Sequence, residues 1–184
     1  MFAVVLDKFR RFLSVKSIRR LASASSRWRR QFIPLKPGMK VGLVFDATDP
    51  ENRDIVMGYK EKLSSRNIEA IVLGFVNKKQ FPKDLVFKSG SDFFTRKELQ
   101  WTGLPARSVM NSFCELDLDL FIAAVTEEEL PLISFAAQTR ARFRIGPYLP
   151  VFTDCFDFMI SLKEKKDMRT YLGLVDHYIT SLKQ

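Results

Sequence analysis

The chain has 184 residues, with 30 Lys and Arg against 21 Asp and Glu. That length suits one domain with an appendage, and a body of about 145 residues buries a core without a metal or disulfide staple. Two cysteines, Cys114 and Cys155, exclude a disulfide framework and fit small buried hydrophobes in a reducing compartment, and the single histidine, His177, excludes most nucleophile–histidine and zinc chemistry.

The charge is not spread evenly. Residues 1–40 hold eleven basic side chains and one acid, Asp7, whereas the rest of the chain holds nineteen basic and twenty acidic residues. A block of this kind meets something anionic, either nucleic acid or a lipid surface. No uncharged apolar stretch of about 18 residues occurs, so no transmembrane helix is expected. The run Met1–Leu6 is too short for a secretory signal, since Asp7 and Lys8 follow at once. The Arg- and Ser-rich, acid-poor composition also fits an organellar transit peptide.

In chain order, residues 1–37 read as a basic arm and residues 38–184 as one domain. Phe2, Val5, Leu6, Phe9, Phe12 and Leu13 fall on one arc at about 100° per residue, with Lys8, Arg10 and Arg11 outside it. The phase then breaks: Lys16 and Arg20 land on the apolar arc, while Val15, Ile18 and Leu21 point elsewhere. This predicts two short helices, or a helix that folds onto a partner, rather than one straight helix with one apolar face. Ser23–Ser26 weaken the helix, and Pro34 and Pro37–Gly38 end the arm.

Lys40–Phe45 predicts a buried strand. Thr48 with Glu51 predicts a capping box for a helix whose apolar face is Ile55, Val56, Tyr59 and Leu63, ending at Asn67. Ile68–Val76 predicts the parallel partner strand. Beyond it, Leu85–Phe87 and Asp92–Phe94 are short candidate strands. Gly103–Leu104–Pro105 opens a helix with Val109, Met110 and Phe113 inward. Leu118–Val125 predicts a strand, and Thr126–Glu129 predicts a second capping box for a helix running to about Thr139. Phe143–Gly146 and Phe156–Leu162 predict further strands. The spacing of Met168, Tyr171, Leu172, Val175, Tyr178, Ile179 and Leu182 predicts a closing amphipathic helix. The alternation gives an α/β fold: a doubly wound, mostly parallel, Rossmann-like three-layer sandwich behind a basic helical N-terminal arm.

A dinucleotide cradle requires glycines straight after the first strand, where bare backbone N–H groups approach a pyrophosphate. Here the turn is Asp46–Ala47–Thr48–Asp49, without glycine and with two carboxylates. No classical nucleotide site, metal site or cofactor is expected, and enzymatic activity is disfavoured. Asp46, Asp49 and Thr126 mark a candidate ligand cleft at the carboxyl ends of strands, although helix capping explains the same residues. The contact candidates of the arm are Lys8, Arg10, Arg11, Lys16, Arg19, Arg20, Arg27, Trp28, Arg29 and Arg30. Arginines interleaved with aromatic rings suit RNA or a ribonucleoprotein such as the ribosome, which is the leading expectation. An anionic membrane surface suits the same residues, with Phe2, Phe9 and Leu13 dipping in. A protein partner for the apolar face of residues 2–13 is a further alternative. These readings place the protein in the cytoplasm or at a membrane periphery.

The segment Leu116–Gly146 resembles part of the amino-terminal Rossmann-like half of heptosyltransferase-type glycosyltransferases, through its strand, helix and A-x-x-R-x-G turn (Ala141, Arg144, Gly146). The resemblance implies a fold, or at most a degenerate half-domain binding a small ligand. The second half that would hold a nucleotide-sugar is not in this chain. Residues 38–163 more closely resemble a family of small bacterial proteins of unknown function. The resemblance rests on a basic helical arm, the F-D-A-T-D turn (Phe45–Asp49), the W-x-G-x-P element (Trp101, Gly103, Pro105) and the R-x-G element.

Overall fold

A computed structural model describes residues 2–25, 31, 34–162 and 167–181, with side chains described for 5–24 within the first helix. Six strands form one parallel sheet: β1 (Lys40–Asp46), β2 (Glu69–Val76), β3 (Ser91–Thr95), β4 (Leu120–Ala124), β5 (Phe143–Pro147) and β6 (Phe158–Ile160). Their order is β3-β2-β1-β4-β5-β6. The helices are α1 (Phe2–Ser25), α2 (Pro50–Ser64), α3 (Arg107–Cys114), α4 (Leu130–Gln138) and α5 (Met168–Ser181), with short 3-10 turns at Arg96–Glu98 and Pro150–Cys155. This is the three-layer, Rossmann-like α/β arrangement that the alternation predicts.

Burial on both faces explains the strand sequences. Val41–Phe45 and all of β4 are buried, so neither strand carries the polar alternation of a half-exposed sheet. One face is covered by α2 and α5, through Val56, Tyr59, Leu63, Met168, Tyr171, Leu172, Val175 and Ile179. The other is covered by α3, α4, the Pro150–Cys155 turn and the second half of α1.

Several local expectations are corrected. α1 is one continuous helix of 24 residues, not two. Its phase break marks a change of surroundings: Ser14, Ile18 and Ala22 are buried against the body, while Val5, Leu6, Phe9 and Phe12 face outward. Asp49, not Thr48, caps α2, its Oδ1 accepting from Glu51 N–H at 2.9 Å. Thr48 instead accepts from Asn77 N–H at 2.8 Å, joining the ends of β1 and β2. Among the described residues no side chain caps α4, whose N-terminal flank is Glu129 rather than Thr126. Leu85–Phe87 forms no strand; it lies in the loop that replaces a helix between β2 and β3. Phe156–Leu162 shortens to the three residues of β6. Asn67 does mark the chain reversal after α2, with φ 58°.

Two residues of the A-x-x-R-x-G turn are structural. Arg144 is 3% exposed and lies at the hub of a polar knot. Its Nε and Nη2 donate to Asp157 at 3.1 and 2.9 Å, and its Nη1 to Ala136 O at 3.1 Å. A buried guanidinium is tolerable because carboxylate and carbonyl replace its hydration. Gly146 lies against the Phe156 ring, where any Cβ would collide with it.

Candidate functional site

In an open parallel sheet, ligands bind outside the carboxyl ends of the strands, where neighbouring crossovers diverge to opposite faces. Here that point lies between β1 and β4. The β1→β2 connection passes through α2 on one face, and the β3→β4 connection passes through α3 on the other.

Each carboxylate of the acidic turn after β1 accepts one hydrogen bond from its own backbone. Asp46 Oδ1 accepts from Thr48 N–H at 2.8 Å, and Asp49 caps α2. Ala47 is buried, and its carbonyl accepts from Arg53 Nη1 at 3.1 Å. Thr126 lines a pocket of about 330 Å³ with Glu127, Glu128 and Tyr148. Asp46 and Asp49 are not among the residues that line this pocket. Asp46 instead acts on Glu129, whose carboxyl is pushed above the usual glutamate range by burial first and by Asp46, Glu127 and Glu128 next.

A cleft of about 790 Å³ opens beside this acidic edge. Its walls come from the ends of three strands and from α1: Asn77 follows β2, Arg96 follows β3, Glu128 and Glu129 follow β4, and Arg10 and Arg11 descend from the helix. Arg11 clamps Glu128, with Nη2 donating to Oε1 at 2.7 Å and to Oε2 at 3.0 Å. Arg96 spends its Nε on Asn77 Oδ1 at 2.5 Å. Arg10 lies 3.8 Å from Asp7, and its Nε is buried without a hydrogen-bond partner among the described residues.

The W-x-G-x-P element forms the rim. Gly103 takes φ +86°, a value that a side chain would strain, and its N–H donates to Gln100 O at 2.8 Å. Gln100 N–H donates to Leu104 O, and its side chain to Pro105 O, both at 2.8 Å. Ser14 of α1 donates to Thr102 O at 2.6 Å. This tightly bonded loop holds Trp101 with 63% of its surface exposed.

The arm candidates divide. Lys8, Lys16, Arg19 and Arg20 are exposed on α1. Arg10 and Arg11 turn into the cleft wall. Arg27, Trp28, Arg29 and Arg30 lie outside the described residues. Neither cysteine is poised for nucleophilic work: burial pushes both the Cys114 and Cys155 thiols up to about 12. His177 stacks edge-on against Tyr178 on α5, away from the cleft. Among the described residues, no helix is long and apolar enough to cross a membrane.

Sequence reasoning missed Asn77, Arg96, Gln100 and Trp101 as cleft residues, because only strand order brings their loops beside α1. A family model for a family of unknown function, DUF6913, matches residues 10–182. The chain belongs to that family. The match spans both the second half of α1 and the whole sheet, so the helix and the edge it covers fall within one family unit. No curated protein and no solved structure matches the chain.

Proposed function

We propose that the protein is a non-enzymatic docking protein that binds an anionic lipid surface through the outer face of α1. The division of that helix carries the reading. Its inner face is spent on the body through Ser14, Ile18 and Ala22. Its outer face begins apolar, with Val5, Leu6, Phe9 and Phe12 between 49% and 62% exposed, and continues with Lys16, Arg19 and Arg20. Apolar side chains in the headgroup–acyl boundary leave water, and each cation near an anionic leaflet adds about 1 kcal/mol.

Binding to RNA phosphates would use the same cations and leave the outward phenylalanines in water. The break in apolar phase is accounted for by packing on the body, so it gives no ground for RNA over lipid. Lipid is therefore the better fit. The likeness to glycosyltransferase halves supports no transferase reading, since Arg144 of that motif is engaged by Asp157.

Co-sedimentation with phosphatidylserine-containing and phosphatidylcholine-only vesicles tests the reading. The full chain is expected to sediment with the first only, less so at high salt, and Phe9→Asp with Phe12→Asp is expected to abolish it. No sedimentation with either vesicle would overturn it. Ribonuclease-sensitive RNA retention that survives both substitutions would move the function to nucleic acid.

A further inference from the structure

We propose that the cleft between α1 and the carboxyl edge of the sheet binds a small flat molecule carrying an oxyanion, with the anion between Arg10 and Arg96 and the ring on Trp101. This site is independent of lipid docking, which uses the opposite side of α1.

The two arginines are the reason for an oxyanion. Among the described residues, of the three guanidinium groups lining the cleft only that of Arg11 is neutralised at close range, by Glu128. Arg96 engages a neutral amide through Nε, and among the described residues its terminal nitrogens meet no acceptor. Arg10 keeps a buried, unpartnered Nε, and its nearest carboxylate, Asp7, stands at 3.8 Å with 74% of its side chain exposed. The buried Arg10 Nε–H without an acceptor is costly, and a bound carboxylate or phosphate would satisfy it while the exposed terminal nitrogens of Arg96 bind the same anion in bidentate geometry. The oxyanion would be held by side chains, so the lack of a glycine cradle after β1 is no obstacle.

Trp101 is the reason for a ring. A large exposed indole on a mobile loop would be unremarkable, but this one sits on a turn fixed by four hydrogen bonds at its base. It is a preformed stacking platform at the cleft rim. Asn77 and Gln100 add neutral polar groups. Glu129 lines the same cleft, where burial and the neighbouring carboxylates raise its pKa. The volume lies within the usual range of small-molecule sites, about 300–1,000 Å³.

Calorimetric titration of the full chain with four probes tests the site. AMP offers a ring with phosphate, nicotinate a ring with carboxylate, adenosine the ring without the anion, and inorganic phosphate the anion alone. Saturable binding of AMP or nicotinate is expected, and whichever binds identifies the anion. Adenosine and inorganic phosphate are each expected to bind at least about tenfold more weakly than the better ring acid. Arg96→Gln and Trp101→Ala alter exposed side chains, so melting temperatures should hold while affinity falls about tenfold or more in each. Adenosine binding as tightly as AMP would overturn the oxyanion subsite, and phosphate binding as tightly would overturn the ring platform. No binding of AMP or nicotinate, or binding unchanged in Arg96→Gln, would overturn the site altogether.

Discussion

Arg11 and Glu128, 117 positions apart in sequence, form a two-oxygen ion pair that fastens α1 to the segment leaving β4. The pair is partly solvated, with side-chain exposures of 59% and 29%, so its worth is about 0.5–1 kcal/mol and is screened by salt. Glu128→Gln should lower the melting temperature by about 1–4 °C in low salt and less in high salt. Amide exchange should quicken in α1 and not in β1. Uniform quickening across the sheet would show that the pair acts on the whole fold rather than on the helix.

Ile18 carries much more of that attachment. It is fully buried beside Ala22, in the cluster that contains Phe135, Ala136 and Ala137 of α4. Ile18→Ala removes buried methyl groups and leaves a cavity, at a cost of about 2–4 kcal/mol. The loss should appear as faster exchange of residues 14–22. Phe9→Ala and Phe12→Ala remove rings that are 53% and 61% exposed, and should change stability by less than about 0.5 kcal/mol. Similar losses from Phe12→Ala and Ile18→Ala would mean that the outward face is not free.

These two positions also show what the sequence could reveal. The strands were legible because a fully buried parallel strand is a short apolar run, as in Val41–Phe45 and Leu120–Ala124. The break of phase after Leu13 was legible too. Its cause was not, because a helix can change phase when its surroundings change, and only the tertiary fold supplies α4 beneath Ile18. The cleft was harder still. Trp101 stood in the sequence only as part of the W-x-G-x-P element of the family resemblance, and Arg96 and Gln100 lie in loops with no periodicity; all three line the cleft with Arg10 only through strand order. Asp46 and Asp49 drew attention by position, yet each accepts a local backbone N–H that fixes its own turn.

Asp176 of α5 receives Lys62 Nζ at 2.8 Å and Arg66 Nη1 at 2.8 Å, joining α5 to α2 and the turn after it. Burial alone would push its carboxyl up, but the hydrogen bonds from Arg66 and Lys62 outweigh it and hold the carboxyl below the usual aspartate range. A folded-state pKa below the unfolded one gives stability that is present above about pH 4 and is lost as pH falls through the folded value. Asp176→Asn should therefore cost about 1 kcal/mol at neutral pH. The gap to the parent protein should close on acidification. A gap that stays constant with pH would mean that packing, not charge, accounts for the loss.

Glu129 should behave with the opposite sign. Burial, and then Asp46, Glu127 and Glu128, raise its carboxyl pKa in the folded state. The folded protein thus binds this proton more tightly than the unfolded chain does, and ionisation at higher pH subtracts stability. As pH falls through the folded value the penalty lifts, and it is gone once the unfolded glutamate is also protonated, near pH 4. Glu129→Gln removes the charge while keeping the shape, so it should raise the melting temperature at neutral pH and match the parent protein below about pH 4. Thermal melts of both proteins across that range check the sign. A lower melting temperature for Glu129→Gln at neutral pH would show that the carboxylate has a stabilising partner. A carboxyl kept at a cost to stability, in a cleft beside two under-used arginines, fits a place maintained for binding rather than for folding.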